Sequence, residues 1–207
     1  MKVTLVTPPS VFLMDERVFP SLGILKVGAV LKKAGLGTDM MDLSGIANYE
    51  DAVRDYCLTR FRTHFGITAT TPQLPATMRV LRTIRDTNPK SKIILGGPHI
   101  TLVNAAQKRE KAKGINGRAT KAFNQLINQF DILVAGDGEE AILEALAPNA
   151  PQLIDADIPK TKLFLTNQKL EELPFPARDL LDMESYHYEI DGVRATSLIA
   201  QLGCPFR

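Results

Sequence analysis

A doubly wound α/β fold, a parallel sheet with helices on both of its faces, is predicted by three features of this sequence. Strand-like runs alternate with helix-like segments five times between residues 2 and 146, the strand runs are nearly continuous in apolar side chains, and most end in a loop rich in Gly, Pro or Thr. Parallel neighbours need crossover connections, and strands apolar on both sides need cover on both faces, so an antiparallel sandwich does not fit.

Each element has its own justification. Residues 2–7 are rich in β-branched side chains and run into Pro8-Pro9, after which Leu22, Leu25, Val27, Val30 and Leu31 recur at helical spacing up to Gly35. Residues 38–43 read as a second strand and 49–60 as a helix in which Cys57 shares an apolar face with Val53. A third strand over 64–69 precedes a helix over 75–87 with Met78, Leu81 and Ile84 on one face. Residues 92–95 and 132–135 are short buried-strand runs that stop at Gly96-Gly97-Pro98 and Gly136-Asp137-Gly138, and a helix over 139–146 follows the second. The intervening stretch, 102–130, is longer than one crossover helix and is broken at Gly114 and Gly117, which suits two helices. Its basic residues Lys108, Arg109, Lys111, Lys113, Arg118 and Lys121 read as a solvated helical face. The resulting sheet is flavodoxin-like, with an expected strand order 2-1-3-4-5.

After Pro148 the texture changes. Pro151, Pro159, Pro174 and Pro176 punctuate a stretch without sustained period, within which 162–166 suits a small strand and 177–181 a helical turn. Asp191-Gly192 then turns into a β-like run over 195–202, and the sequence closes on Gly203-Cys204-Pro205-Phe206-Arg207. The expected organisation is a folded domain over 1–147, a linker over 148–194, and the start of a further domain over 195–207.

Composition narrows the function classes. The 207 residues, 44% of them hydrophobic, suit one ordinary core with an appendage, and 25 basic against 23 acidic side chains give a net charge of +2, which does not point to nucleic acid as the main partner. Only Cys57 and Cys204 are present, too few for a disulfide framework, and the N-terminus enters a strand without a signal-like apolar stretch, which together suggest the cytoplasm. No run approaches the ~18 to 20 apolar residues of a membrane span, since even 21–35 contains Lys26, Lys32 and Lys33.

In a doubly wound sheet, ligands sit outside the carboxyl ends of the strands. The loops there are Pro8-Pro9-Ser10, Thr68-Ala69-Thr70-Thr71, Gly96-Gly97-Pro98-His99 and Gly136-Asp137-Gly138-Glu139, all expected on one rim. Glycine lets a backbone approach a ligand, threonine adds a small hydroxyl, and helix N-termini offer free N–H groups. Such a rim suits an elongated ligand with a phosphate-bearing portion. Gly136-Asp137-Gly138-Glu139-Glu140-Ala141 also fits the GxGxx(G/A) dinucleotide fingerprint, but it ends the sheet instead of opening it and leads into the proline-punctuated stretch, so NAD and FAD are not expected. His99 reads as a structural histidine with a second role beside a ligand left open, and Asp137 and Glu139 either cap their helix or act as acid–base groups. His64 and His187 have no assigned role.

The series Val6-Thr7-Pro8-Pro9, Gly66-Ile67-Thr68-Ala69-Thr70, Leu95-Gly96-Gly97-Pro98-His99 and Ala135-Gly136-Asp137-Gly138-Glu139 resembles the cobalamin-binding domain of the cobalamin-dependent radical SAM family. Leu173-Pro174-Phe175-Pro176-Ala177-Arg178-Asp179-Leu180 is similar to that family's interdomain linker, and Leu202-Gly203-Cys204-Pro205-Phe206-Arg207 to the start of its CxxxCxxC cluster loop. The resemblance implies cobalamin as cofactor, held at the four rim loops. In the complete family it also implies a [4Fe–4S] cluster with S-adenosylmethionine, and commonly methyl transfer to a substrate radical. Two departures qualify it. Carriers that place a protein imidazole on cobalt use a DxHxxG loop, whereas the strand-two loop here reads Asp42-Leu43-Ser44-Gly45, which implies base-off cobalamin without a histidine ligand from that loop. The cluster needs three thiolates and this stretch supplies Cys204 alone, so the chain by itself is expected to bind cofactor and to be inactive in SAM cleavage. The alternatives are a non-catalytic corrinoid-binding module, a subunit of a split enzyme that works with a separate radical SAM barrel chain, or a flavodoxin-like nucleotide-binding module.

Overall fold

A computed structural model describes residues 1–60 and 64–201. Cys204, the expected first cluster ligand, lies outside the described residues. The strands are β1 (Lys2–Thr7), β2 (Gly37–Asp42), β3 (His64–Thr68), β4 (Lys92–Gly96), β5 (Ile132–Ala135) and β6 (Leu153–Asp155), with a hairpin of β7 (Glu189–Ile190) and β8 (Val193–Arg194). The helices are α1 (Leu22–Lys33), α2 (Tyr49–Thr59), α3 (Leu74–Thr87), α4 (Pro98–Ala112), α5 (Arg118–Ile127), α6 (Gly138–Ala145) and α7 (Asn167–Glu172). All pairings in the main sheet are parallel, in the order β2-β1-β3-β4-β5-β6.

The sheet separates two cores by the period-two rule of strand side chains. Val6, Phe65, Ile67, Leu95 and Leu133 point to one face, where Val53, Cys57, Val80, Ile84, Phe123 and Leu126 of α2, α3 and α5 cover them. Val3, Leu5, Ile94, Ile132 and Val134 point to the other, under Ile24 and Leu31 of α1 and Ala141, Ile142 and Ala145 of α6. Cys57 is buried beside Val53 as expected, and burial pushes its thiol up to about 11, which keeps it protonated.

The expected order 2-1-3-4-5 is present, and the expected pair of helices between β4 and β5 is α4 and α5. Three features differ from the sequence reading. The sheet has six strands, because Leu153–Asp155 joins the edge of β5 and buries Ile154 in the α1–α6 core. Residues 162–166 form turns instead of a strand: Phe164 N–H donates to Thr161 at 3.3 Å, and Thr166 serves as N-cap of α7 by accepting from Lys169 N–H at 3.3 Å. Residues 195–201 form no ladder, since a strand needs a neighbour, and they are tied instead through Ala195 N–H to Tyr188 O at 2.8 Å and Arg178 to Ser197 O at 2.8 Å. None of the described helices is long and apolar enough to cross a membrane.

The stretch after β6 is strapped to the sheet domain. Ala177 N–H donates to Leu25 O at 3.0 Å, and Leu180 lies so close over Gly28 of α1 that an added Cβ would stand 2.8 Å from it. Further on, Tyr186 is buried and its hydroxyl meets Asp42, which Arg17 also engages at 3.1 Å while donating to Ser44 O at 2.9 Å. The loop Asp42-Leu43-Ser44-Gly45 is thereby an anchoring point: Asp42 Oδ1 accepts from Ser44 N–H at 3.1 Å and Ser44 Oγ at 2.7 Å, and its other oxygen holds Arg17 and Tyr186.

Candidate functional site

On the face that carries Leu5, Ile94 and Val134, β3 presents Gly66 where its neighbours present large side chains. A cavity of about 640 Å³ follows, floored by Leu5, Gly66, Ile94 and Val134, walled by Ile24 and Val27 of α1 and Ile142 of α6, and opening at the carboxyl ends of β3, β4 and β5. The size lies within the range of ligand sites. A Cβ built on Gly66 would stand 3.0 Å from Leu5 Cδ2, and one built on Gly96 would find only Val134 O, at 3.9 Å, so these glycines leave the floor and mouth open.

Hydrogen bonds between loops fix the mouth. Ala69 N–H donates to Gly96 O at 3.1 Å and His99 N–H to Ala69 O at 2.9 Å, which continues the β3–β4 ladder past its end. The approach is close enough to require glycine at 97: its φ is +93° and an added Cβ would lie 2.5 Å from Thr68 Oγ1 and 2.9 Å from Ala69 N. Thr101 donates to Gly97 O at 3.0 Å and accepts from Gly136 N–H at 2.9 Å, joining the β4 and β5 loops. Gly136 also takes a positive φ, +88°, with Asp157 N only 2.5 Å from where a Cβ would be.

Of the residues expected to bind a ligand, Thr68, Gly96, Gly97, Pro98, Gly136, Asp137, Gly138 and Glu139 line this cavity. Pro8, Pro9, Ser10, Ala69, Thr70, Thr71 and His99 are not part of its wall. Pro8, Ser10 and Thr70 of these form a neighbouring knot around Gln73, whose amide donates to Pro8 O at 3.0 Å and Ser10 Oγ at 2.8 Å while its carbonyl oxygen accepts from Thr70 N–H and Thr70 Oγ1, both at 2.9 Å. Gln73 is buried and was not singled out in the sequence, where it sits just ahead of the expected helix. His99 is buried in the first turn of α4, with Nδ1 3.1 Å from Thr71 Oγ1 and Nε2 without a hydrogen-bond partner; burial lowers its pKa and favours the neutral ring.

Sequence reasoning also missed Ser21, Gly23, Ile24 and Val27 of the α1 wall, Gly66, Thr101, Leu102, Asp157 and Ile199. The available signal was Gly66 itself, a lone glycine in the apolar strand Phe65-Gly66-Ile67, which marks a close approach by something else.

The electrostatics of the wall are acidic. Glu139 is buried at the start of α6, and desolvation, with the neighbouring Asp137 charge, raises its carboxyl above the ordinary value; burial and Asp157 raise Asp137 in the same way, while Lys26 opposes both. The chain's three histidines lie elsewhere: His64 at the amino end of β3, His99 in α4, and His187 paired with Asp15 at 2.6 Å.

Comparison with known proteins accords with this geometry. Across its full length the chain is 26% identical to an uncharacterized methyltransferase of Pyrococcus horikoshii, and it spans 44% of that relative's length. Among solved structures it is similar to the radical S-adenosylmethionine methyltransferase TsrM of Kitasatospora setae, with a TM-score of 0.50 and 16% identity over 70% of this chain and 24% of that one, a likeness of fold. The family model described as the B12 binding domain matches residues 15–146, from the loop after β1 to the end of α6, and the chain belongs to that family.

Proposed function

We propose that this chain is the cobalamin-binding portion of a radical SAM methyltransferase, and that the Gly66 cavity receives the cofactor's nucleotide tail with the corrin over the rim. The observation that supports the reading is the cavity itself: apolar below, bounded by Leu5, Ile94, Val134 and Ile142, and polar only at its mouth, where Thr68, the Gly96-Gly97 backbone and the start of α6 stand. A flat aromatic base suits the floor and a polar, amide-bearing ring suits the mouth. Bound cobalamin supplies the methyl-transfer chemistry; the protein's part is to bind, orient and exclude water. Ile24, Val27 and Ile142 would enclose the tail, Thr68 Oγ1 and the backbone at 96–97 would meet its polar portion, and Thr101 holds the two loops in register.

Ser44 stands in the strand-two loop where carriers of the DxHxxG type have histidine, which supports cobalamin bound base-off without an imidazole from that loop. In this reading the cofactor-binding unit runs through β6 to about Asp157, the linker continues to about residue 194, and 195–207 begin the radical SAM domain. In this reading Cys204 is one of the three thiolates that a [4Fe–4S] cluster with SAM needs, and the cluster chemistry is that of a radical SAM barrel, in the complete enzyme or in a separate chain.

Titration of the protein with hydroxocobalamin, followed by its absorption spectrum, tests the assignment against a flavin. Retained corrinoid and a Co(II) paramagnetic resonance spectrum free of nitrogen superhyperfine splitting are expected. No retention overturns the function; a clear imidazole splitting overturns the ligand assignment.

A further inference from the structure

On the face of the sheet away from the cavity, α3, α4 and α5 carry a charge unlike that of the rest of the chain. These helices and the loop that joins the last two hold nine basic side chains against two acidic ones, Asp86 and Glu110, in a chain whose net charge is only +2. Three of the nine are engaged: Arg85 with Asp131 at 2.6 Å, Lys108 with Asp155, and Lys111 over the Phe123 ring at 6.0 Å. Arg79, Arg82, Arg109, Lys113, Arg118 and Lys121 are exposed, and among the described residues no carboxylate pairs with any of them. Glu110, in their midst, is turned inward to cap α5 through Gly117, Ala119 and Thr120.

Apolar surface lies among these cations. Ile115, 51% exposed, stands in the turn between α4 and α5, with Lys113 before it and Arg118 after it. A groove of about 490 Å³ runs between α3 and α5 over Leu74, Met78, Leu81 and Leu126, and Arg82 also lines it. Unpaired cations spread over three helices suit an extended anionic surface and not one small anion. Nucleic acid is the poorer match. The N–H groups at the start of α5 that would meet a phosphate are taken by Glu110, and Phe123, the aromatic ring of these helices, is buried and has no face free for a base. At a lipid surface both components have a use, the cations at anionic headgroups and the apolar side chains at the boundary with the acyl chains.

We propose that the outer face of α3, α5 and the end of α4 is a peripheral binding surface for an anionic lipid membrane. The six unpaired cations meet the headgroups, while Ile115 and the apolar groove take up the acyl boundary. The contact is with the membrane surface and needs no spanning segment. It uses the side of the sheet opposite the cavity, so it leaves the proposed cofactor site free and does not depend on that reading.

The test is co-sedimentation with vesicles of equal parts phosphatidylglycerol and phosphatidylcholine, and with vesicles of phosphatidylcholine alone, each at low and at high salt. Wild type is expected to partition onto the anionic vesicles at low salt, to leave them as salt screens the attraction, and to ignore the neutral ones. Lys113→Gln and Arg118→Gln are each expected to lower the partition coefficient about threefold to fivefold, with Ile115→Ser lowering it as well. Lys162→Gln, which changes an exposed lysine outside these helices, should leave it unaltered. Equal partitioning onto neutral vesicles, partitioning unmoved by salt, or no change in the Lys113, Arg118 and Ile115 variants overturns the inference. So does an equal loss in the Lys162 variant, or tighter binding of duplex RNA than of the anionic vesicles at the same salt. Hydroxocobalamin binding by the same preparations reports on the proposed function separately.

Discussion

Single residues decide where this sheet has room for a ligand and where it does not. Gly66 removes a side chain from the one face on which Leu5, Ile94 and Val134 all project, while Gly97 permits a backbone path that no other residue adopts without strain. The two glycines therefore fail differently. At Gly97, φ +93° with ψ −176° is a region populated essentially by glycine alone, and a Cβ would also strike Thr68 Oγ1 and the backbone of Ala69. Gly97→Ala is expected to destabilise the fold by about 1–3 kcal/mol or more, read as a lower urea midpoint at unchanged slope. An unaltered midpoint would show that the loop relaxes freely and that the tight β3–β4 junction is not required. At Gly66 the nearest neighbour is the far end of the Leu5 side chain, which can move, so the role of this residue is space and its loss is felt by the ligand before the fold.

At the scale of elements, α4 and α5 behave as one hairpin because Glu110, near the end of α4, caps the start of α5. Its carboxylate accepts from Gly117 N–H at 3.2 Å, Ala119 N–H at 3.1 Å, Thr120 N–H at 2.8 Å and Thr120 Oγ1 at 2.7 Å, which satisfies donors that the helix leaves free. The Thr120 hydroxyl and backbone bonds hold the Glu110 carboxyl below its ordinary value of 4.5. A lowered carboxylate pKa contributes stability that is present above the unfolded-state value and is lost as pH falls through the folded one. Glu110→Gln is thus expected to lower the Tm at pH 7, with the difference from wild type shrinking as the pH is taken below about 4. A difference independent of pH would mean that the carboxylate charge is not what holds α5. This cap also shows where the sequence was legible and where it was not. The break at Gly114 and Gly117 is local, and it divided the stretch correctly; the cap joins residues 7 to 10 positions apart across that break and has no local signature. The same holds for Gln73, which joins loops more than 60 residues apart, at Pro8 and Ser10. The rim loops were readable because Gly, Pro and Thr mark strand ends, and half of the expected ligand residues do line the cavity. The descent of the cavity down one face required knowing which face each strand presents to α1 and α6. That parity is set by pairing register, which propensity alone does not give.

For the molecule as a whole, the unexpected sixth strand changes where the folding unit ends. The sequence reading closes the first domain at residue 147, but Leu133 N–H donates to Gln152 O at 2.8 Å and Ala156 N–H to Ala135 O at 2.8 Å, so the edge of β5 is completed only by 152–156. Ile154 is 2% exposed and Ala156 fully buried, both in the core under α1 and α6 that also encloses the cavity. Loss of the Ile154 side chain alone removes about 1.5–3 kcal/mol of burial, and the strand's departure would also leave β5 as an open parallel edge available to other chains. Asp157, the residue whose backbone packs against Gly136, would go with it and release the loop that begins α6. A chain ending at residue 147 is therefore expected to be several kcal/mol less stable than one ending at residue 160 and to self-associate. The chain ending at 160 keeps the whole sheet and should unfold in one cooperative transition, although it lacks the strap at Ala177 and Leu180 over α1. Urea denaturation of the two forms, with light scattering to follow association, distinguishes the cases. Equal midpoints and two monomers would place β6 outside the cooperative unit, and the edge of the sheet back at β5.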